Sequence, residues 1–156
     1  MMRAAKPVLT PHDPDFESRV RESFERQGAM KLIGASLEKV APGEVEIYLP
    51  FREDLTQQHG FVHAGIITTV MDNACGFAAY SLMPADASVL SVEFKVNLLA
   101  PAKGEAFIAR GEVIKPGRTI TVCNGEVYAP GEVNKLIATM TATLIMLQGR
   151  TGIPQG

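Results

Sequence analysis

Apolar positions along the chain change period several times, and each change marks an element. Phe16, Val20 and Phe24 recur every four residues among Glu17, Arg19, Arg21 and Glu22. That spacing predicts a short amphipathic helix, opened by Asp13 as N-cap with Pro14 at its first position and closed before Gly28. Val45, Ile47 and Leu49 alternate with Glu44, Glu46 and Tyr48, the period of a half-buried strand. A strand over 30–40 is expected before it, joined through Ala41-Pro42-Gly43. Residues 51–61 lack a period and read as a loop. An almost continuous apolar run over 63–83, rich in Ala, Gly, Ile, Val and Met and stopped by Pro84, has the length of a helix about five turns long. Being apolar nearly all round, that helix is expected to be buried on most sides. Strands are expected over 87–99, 105–115, 118–128 and 134–147. Ala100-Pro101, Pro116-Gly117 and Ala129-Pro130-Gly131 separate them. Helix, two strands, one greasy helix and four strands describe an α+β domain.

Composition narrows the possibilities. A chain of 156 residues is one domain long. The expected division is an N-terminal extension over 1–12, one domain over 13–147 and a flexible tail over 148–156. Hydrophobic residues reach 46% although aromatics are only 6% and Trp is absent, so the apolar share is aliphatic. That is a generous share for a chain whose surface-to-volume ratio limits what it can hide. Net charge is −2, with no run of Lys or Arg, which argues against nucleic acid as a partner. The first eleven residues lack the apolar centre of a secretion signal. No stretch is long and apolar enough to span a bilayer, so no membrane partner is expected. Cys75 and Cys123 lie far apart with no CxxC spacing, which reads as two buried thiols in a reducing cytoplasm. His59 and His63 are four apart but have no third ligand at suitable spacing, so no metal is expected.

Asp72 is the one charged residue between Leu55 and Ala85. An unpaired carboxylate in an apolar helix costs several kcal/mol unless it gains a partner or a raised pKa. The ordinary reading is a local cap, a local pair or a solvent edge. Against it stand the apolar neighbours Val70, Met71, Ala74 and Cys75, the lack of a basic residue within a turn, and the segment His63-Ala64-Gly65 that opens the helix. Free N–H groups at a helix start, flanked by small residues, can hold a developing oxyanion. Eight residues separate Ala64 from Asp72, about 12 Å along a helix axis. One helix therefore cannot bring both groups to one carbonyl. Two helices related by a two-fold axis can, which calls for a homodimer.

Val62-His63-Ala64-Gly65, then six residues, then Asp72, resembles the HGG…D signature of hot-dog-fold acyl-CoA thioesterases of the PaaI type. The stretches 90–97 with Ala100-Pro101-Ala102, and 113–119, resemble that family's next strand and hairpin, so the likeness covers about 30–147. It implies the hot-dog fold, a long antiparallel sheet wrapped around one central helix. It also implies a dimer with a continuous sheet, often paired again into a dimer of dimers. The implied activity is hydrolysis of acyl-CoA or aryl-CoA with no cofactor beyond the CoA of the substrate. Carried over, Asp72 matches the catalytic carboxylate, as general base or nucleophile. Ala64 matches the backbone N–H that polarises the carbonyl, and Gln57 the loop amide that contacts it. Ser91 matches the serine that positions the water or the carboxylate, and His63 an organiser of the helix start, beside Gly65. Two departures stand out: Ala64 replaces the first glycine of the motif, and Gln57 stands where Asn is common. Among Lys103, Lys115, Arg118 and Lys135, Arg118 is the best candidate for a CoA phosphate because it sits at a hairpin. The alternatives are an enoyl-CoA hydratase or dehydratase on the same fold, and a non-catalytic acyl-CoA-binding protein. A hydratase would need a second acid–base group beside Asp72.

Overall fold

The computed structural model describes residues 8–131 and 133–149. Helix α1 (Phe16–Glu25) and the short α2 (Gly28–Ile33) lead into the hairpin β1 (Ser36–Ala41) and β2 (Glu44–Pro50). A single 3-10 turn (Glu53–Leu55) precedes the central helix α3 (Ala64–Tyr80). Four strands follow: β3 (Ala87–Leu98), β4 (Ala106–Lys115), β5 (Ile120–Ala129) and β6 (Lys135–Gln148). All six strands form one antiparallel sheet in the order β1-β2-β4-β5-β6-β3. The sheet curls around α3, the hot-dog arrangement expected from the resemblance.

Burial alternates residue by residue along β2, β4 and β5, so one face of the sheet is apolar and lies on the helix. The helix answers with Ile67, Val70, Met71, Ala74, Cys75, Phe77, Ala78 and Ala79, all buried. Gly111 on β4 makes the contact close. A Cβ there would overlap the backbone of Ala74 and meet the Cys75 nitrogen at 2.5 Å, so the helix rests on the strand only because that side chain is missing.

Three expectations change. Residues 30–33 belong to α2, not to a strand. Gly34 ends α2 in the left-handed conformation (φ 75°), and the Ala35 N–H reaches back to the Met30 carbonyl at 3.0 Å. This Schellman-type closure lets β1 begin only at Ser36. Asp13 does not N-cap α1, which starts at Phe16. Its carboxylate accepts from the Asp15 N–H (2.9 Å) and pairs with Arg19 Nε (2.8 Å). The central helix is buried on most sides, as expected, and one stripe stays open. Gly65, Thr69, Asp72 and Gly76 form a stripe that the chain's own sheet leaves open. Strand β6 runs through Gln148, one residue into the expected tail. Residues 1–7 of the expected extension and 150–156 of the tail lie outside the described residues.

Arg19 fastens α1 to the C-terminal end of α3. Besides Asp13, its guanidinium donates to the carbonyls of Tyr80 (3.3 Å) and Met83 (2.7 Å) and lies 4.1 Å from the centre of the Tyr80 ring. Carbonyls past a helix end carry partial negative charge, which this mostly buried cation offsets. Arg19→Ala removes all of these contacts and leaves Asp13 unpaired. It is expected to lower the unfolding free energy by about 2–3 kcal/mol in denaturant titrations. A loss below about 0.5 kcal/mol would show that α1 is held by its apolar face alone.

Candidate active site

The loop before α3 is held at several points. The Gln57 N–H bonds the Phe61 carbonyl (2.8 Å), Thr56 and Val62 form a β-bridge, and the His63 N–H bonds the Leu55 carbonyl (2.9 Å). Gln57 is thereby placed beside the start of the helix. Its side-chain oxygen accepts from the His59 backbone N–H. An amide whose oxygen is engaged turns its NH2 outward as a donor.

His63 is the N-cap of α3, and its Nδ1 accepts the Gly65 N–H at 2.9 Å. An imidazole accepting at Nδ1 is neutral and carries its proton on Nε2. The motif histidine is thus a cap that holds the first turn. Its bond also changes the expected oxyanion site. The Gly65 N–H is spent on His63, and those of Ile66 and Ile67 return to the His63 carbonyl (2.9 and 3.2 Å). Among the described residues the Ala64 N–H has no such bond, so the site narrows from Ala64 and Gly65 to Ala64.

Two turns further on, Asp72 stands half-buried in the open stripe of α3. Ser91 Oγ donates to its Oδ1 at 2.7 Å. Ser91 faces the helix because it pairs with the buried Leu144 of β6, and a β-bulge between Ser91 and Glu93 breaks the register beside it. The structure therefore joins two residues nineteen positions apart that the sequence could link only by resemblance. Ser91→Ala is expected to lower kcat/KM about 10-fold with KM little changed, since a charge-assisted bond that orients the carboxylate is lost. Equal kcat in the two proteins would remove Ser91 from the site.

Asp72 and Ser91 open onto a pocket of about 560 Å³ between α1, α3 and the start of β3. Ser23 of α1, Arg26 and Gln27 just beyond its end, and Gly76 and Tyr80 of α3 line it as well, five residues that the sequence analysis does not single out. Gly76 and Tyr80 follow Asp72 at four and eight residues, so helix periodicity could have found them. Ser23, Arg26 and Gln27 carry no such signal. Phe77 also lines the pocket, whereas Ile67 and Met71 are core.

Arg118 lies elsewhere. It lines a second cavity of about 500 Å³ with Leu9, His12, Leu82 and Pro116, so within one chain it does not share the Asp72 pocket. Lys103, Lys115 and Lys135 are exposed. Cys75 and Cys123 are free and buried. Burial pushes both thiols up, Cys123 to about 12, and the charge of Asp72 adds to the rise at Cys75. Both stay protonated at neutral pH, which rules them out as nucleophiles. No group of three or more His, Cys, Asp or Glu among the described residues is placed to hold a metal ion. No described helix is long and apolar enough to cross a membrane.

Comparison with known proteins agrees with this geometry. Residues 59–134, from the loop through β5, match the thioesterase superfamily. A thioesterase family protein from Silicibacter pomeroyi is 54% identical. The match covers 86% of this chain and 99% of that one, with a TM-score of 0.84. Human acyl-coenzyme A thioesterase 13 is 31% identical over 63% of this chain and 67% of its own length. The PaaI protein of the E. coli phenylacetic acid degradation operon, at 16% identity, shares the fold (TM-score 0.77, covering 86% of this chain and 95% of that one). With Asp72 on the central helix, a capped helix start at His63 and this kinship, the chain belongs to the thioesterase superfamily and is a hot-dog-fold thioesterase.

Proposed function

We propose that the chain hydrolyses acyl-CoA thioesters at sites shared between two copies of itself. The observation that carries this is the separation of the donor at Ala64 from the carboxylate of Asp72, eight residues and about 12 Å along one rigid helix. The thioester carbonyl oxygen lies on the Ala64 N–H of one copy and takes a second hydrogen bond from the Gln57 amide. Asp72 of the other copy, oriented by Ser91, takes a proton from water as the water oxygen bonds to the carbonyl carbon. Collapse of the tetrahedral intermediate breaks the C–S bond, and CoA leaves as a thiolate that needs little help from an acid. Direct attack by Asp72, giving a mixed anhydride that water then opens, uses the same geometry.

The sheet edge supports the pairing. β3 is a twelve-residue edge strand, and Leu90, Val92, Phe94 and Leu98 on it are 50%, 57%, 45% and 58% exposed. Phe94 and Leu98 pair with the buried Ala142 and Ala138, so they face the helix side, yet α3 does not cover them. A long apolar edge left open invites strand pairing. A second β3 across a two-fold axis would cover it and continue the sheet, and a dimer of dimers can follow. Among the described residues no histidine bonds Asp72, so the acid–base pair that a hydratase needs is not assembled within the chain. The kinship with an acyl-coenzyme A thioesterase supports CoA as the carrier. The two free thiols fit a reducing compartment such as the cytoplasm.

The test is release of free thiol from acetyl-, octanoyl-, palmitoyl- and phenylacetyl-CoA, read beside the scattering mass of the active species. Turnover of at least one thioester by a species of two or more chains is expected. Full activity in a monomer would overturn the shared site, and tight acyl-CoA binding without thiol release would overturn the enzyme.

A further inference from the structure

The pocket beside Asp72 is a groove with a measurable depth. Its mouth is the Asp72–Ser91 pair, and its two long walls are α3 and the first turns of β3. Along α3, eight residues from Asp72 to Tyr80 span about 12 Å. Along β3, four residues from Ser91 back to Ala87 span about 13 Å. The two walls agree in length, and Tyr80 and Ala87 are the groove-lining residues farthest from the Asp72–Ser91 pair on each. Helix α1 forms the third wall. Arg19 sits at Tyr80 while Phe24 packs on Phe77 with ring centres 5.9 Å apart, so α1 runs antiparallel to α3 along the groove. The same Arg19 bonds hold Tyr80 at the closed end.

Gly76 lies midway, on the i, i+4, i+8 ridge that Asp72 and Tyr80 share. A Cβ added there would meet nothing within 4 Å. This glycine differs from Gly111, whose missing side chain lets two elements touch. Nothing in the chain's own packing requires Gly76. A mid-helix glycine costs about 1 kcal/mol relative to alanine, and here that cost leaves the groove open.

We propose that Gly76 is a specificity-determining residue: it admits the acyl chain of the substrate into a groove that Tyr80 closes about ten carbons from the scissile carbonyl. The length follows from the depth, since an extended carbon chain with bonds near 1.5 Å advances about 1.25 Å per carbon. The substrate class is then short- to medium-chain acyl thioesters, and long chains fit poorly. This rests on the acyl-CoA hydrolase reading above.

The experiment is a kcat/KM series from acetyl- to palmitoyl-CoA for the wild type, Gly76→Ala and Gly76→Leu, with thermal unfolding of each. Wild-type values should rise to about eight to ten carbons and fall beyond about twelve. In Gly76→Leu the decanoyl-to-acetyl ratio should fall at least about 100-fold, and in Gly76→Ala about 3- to 10-fold, with Gly76→Ala melting no lower than the wild type. Palmitoyl-CoA as the best wild-type substrate would overturn the proposal. So would a ratio that stays within about three-fold of wild type in Gly76→Leu, or in Gly76→Ala should the leucine variant not fold. In either case the hydrolase reading stands. A wild type that releases thiol from no acyl-CoA would remove both.

Discussion

Asp72→Asn and Asp72→Ala are expected to lower acyl-CoA hydrolysis by about a thousandfold while the fold survives. Loss of a positioned base or nucleophile costs on the order of 10²–10⁴ in rate. The fold should tolerate the change because Asp72 lies half-buried in an open stripe, and Ser91 is the one described side chain that hydrogen-bonds it. In Asp72→Asn the amide oxygen still accepts from Ser91, so orientation is kept while basicity is lost. That isolates the chemistry from the packing. The check is single-substrate kinetics beside a melting curve. If Asp72→Asn turned over a good substrate within a few-fold of the wild type, the carboxylate would not be the base.

Ala64→Pro is the second large expectation, and it removes one hydrogen atom from the site. Ala64 is the first residue of α3, where proline is tolerated because the N–H has no partner within the helix. The preceding His63 has φ −59° and ψ 137°, a conformation that a following proline favours. The helix should therefore form, His63 should still cap it through Gly65, and only the donor facing the carbonyl is lost. Removal of one oxyanion donor costs about 10²–10³ in kcat. Mixing the two variants tests the shared site directly. In a dimer of one Ala64→Pro chain and one Asp72→Asn chain, one site carries both lesions and the other is intact. Random exchange should then restore about a quarter of wild-type activity, half of the dimers having one working site of two. No recovery after verified subunit exchange would place both groups of a site in the same chain.

Much of this was legible before any coordinate. The period-two alternation of Val45, Ile47 and Leu49 puts them on the helix side of β2, where all three are buried. The apolar run ending near Pro84 is α3, and Asp72 stands out in it because a carboxylate is costly there. Other features needed contacts between distant residues. Residues 30–33 carry an apolar pattern short enough for strand or helix, and the left-handed Gly34 decided for a helix turn. Gly65 reads in sequence as part of an anion site, but in the fold His63 takes its N–H. Arg118 stands next to a hairpin turn in the sequence, and the chain's folding puts it against a different cavity from Asp72.

The large aliphatic share also acquires a location. Part of it is the core between α3 and the sheet. Part remains on the outside of a single chain, as Leu90, Val92, Phe94 and Leu98 along the open edge. By itself the sequence determined the element order, the greasy central helix and the residue on it that is out of place, because periodicity and the cost of a buried charge are local properties. Only the tertiary structure decided that Ser91 holds Asp72, that α1 walls the groove over Gly76, and that Ala64 is the donor left over. Those facts depend on which strand lies beside which helix and on where each hydrogen bond is spent, and both are settled only when the chain closes on itself.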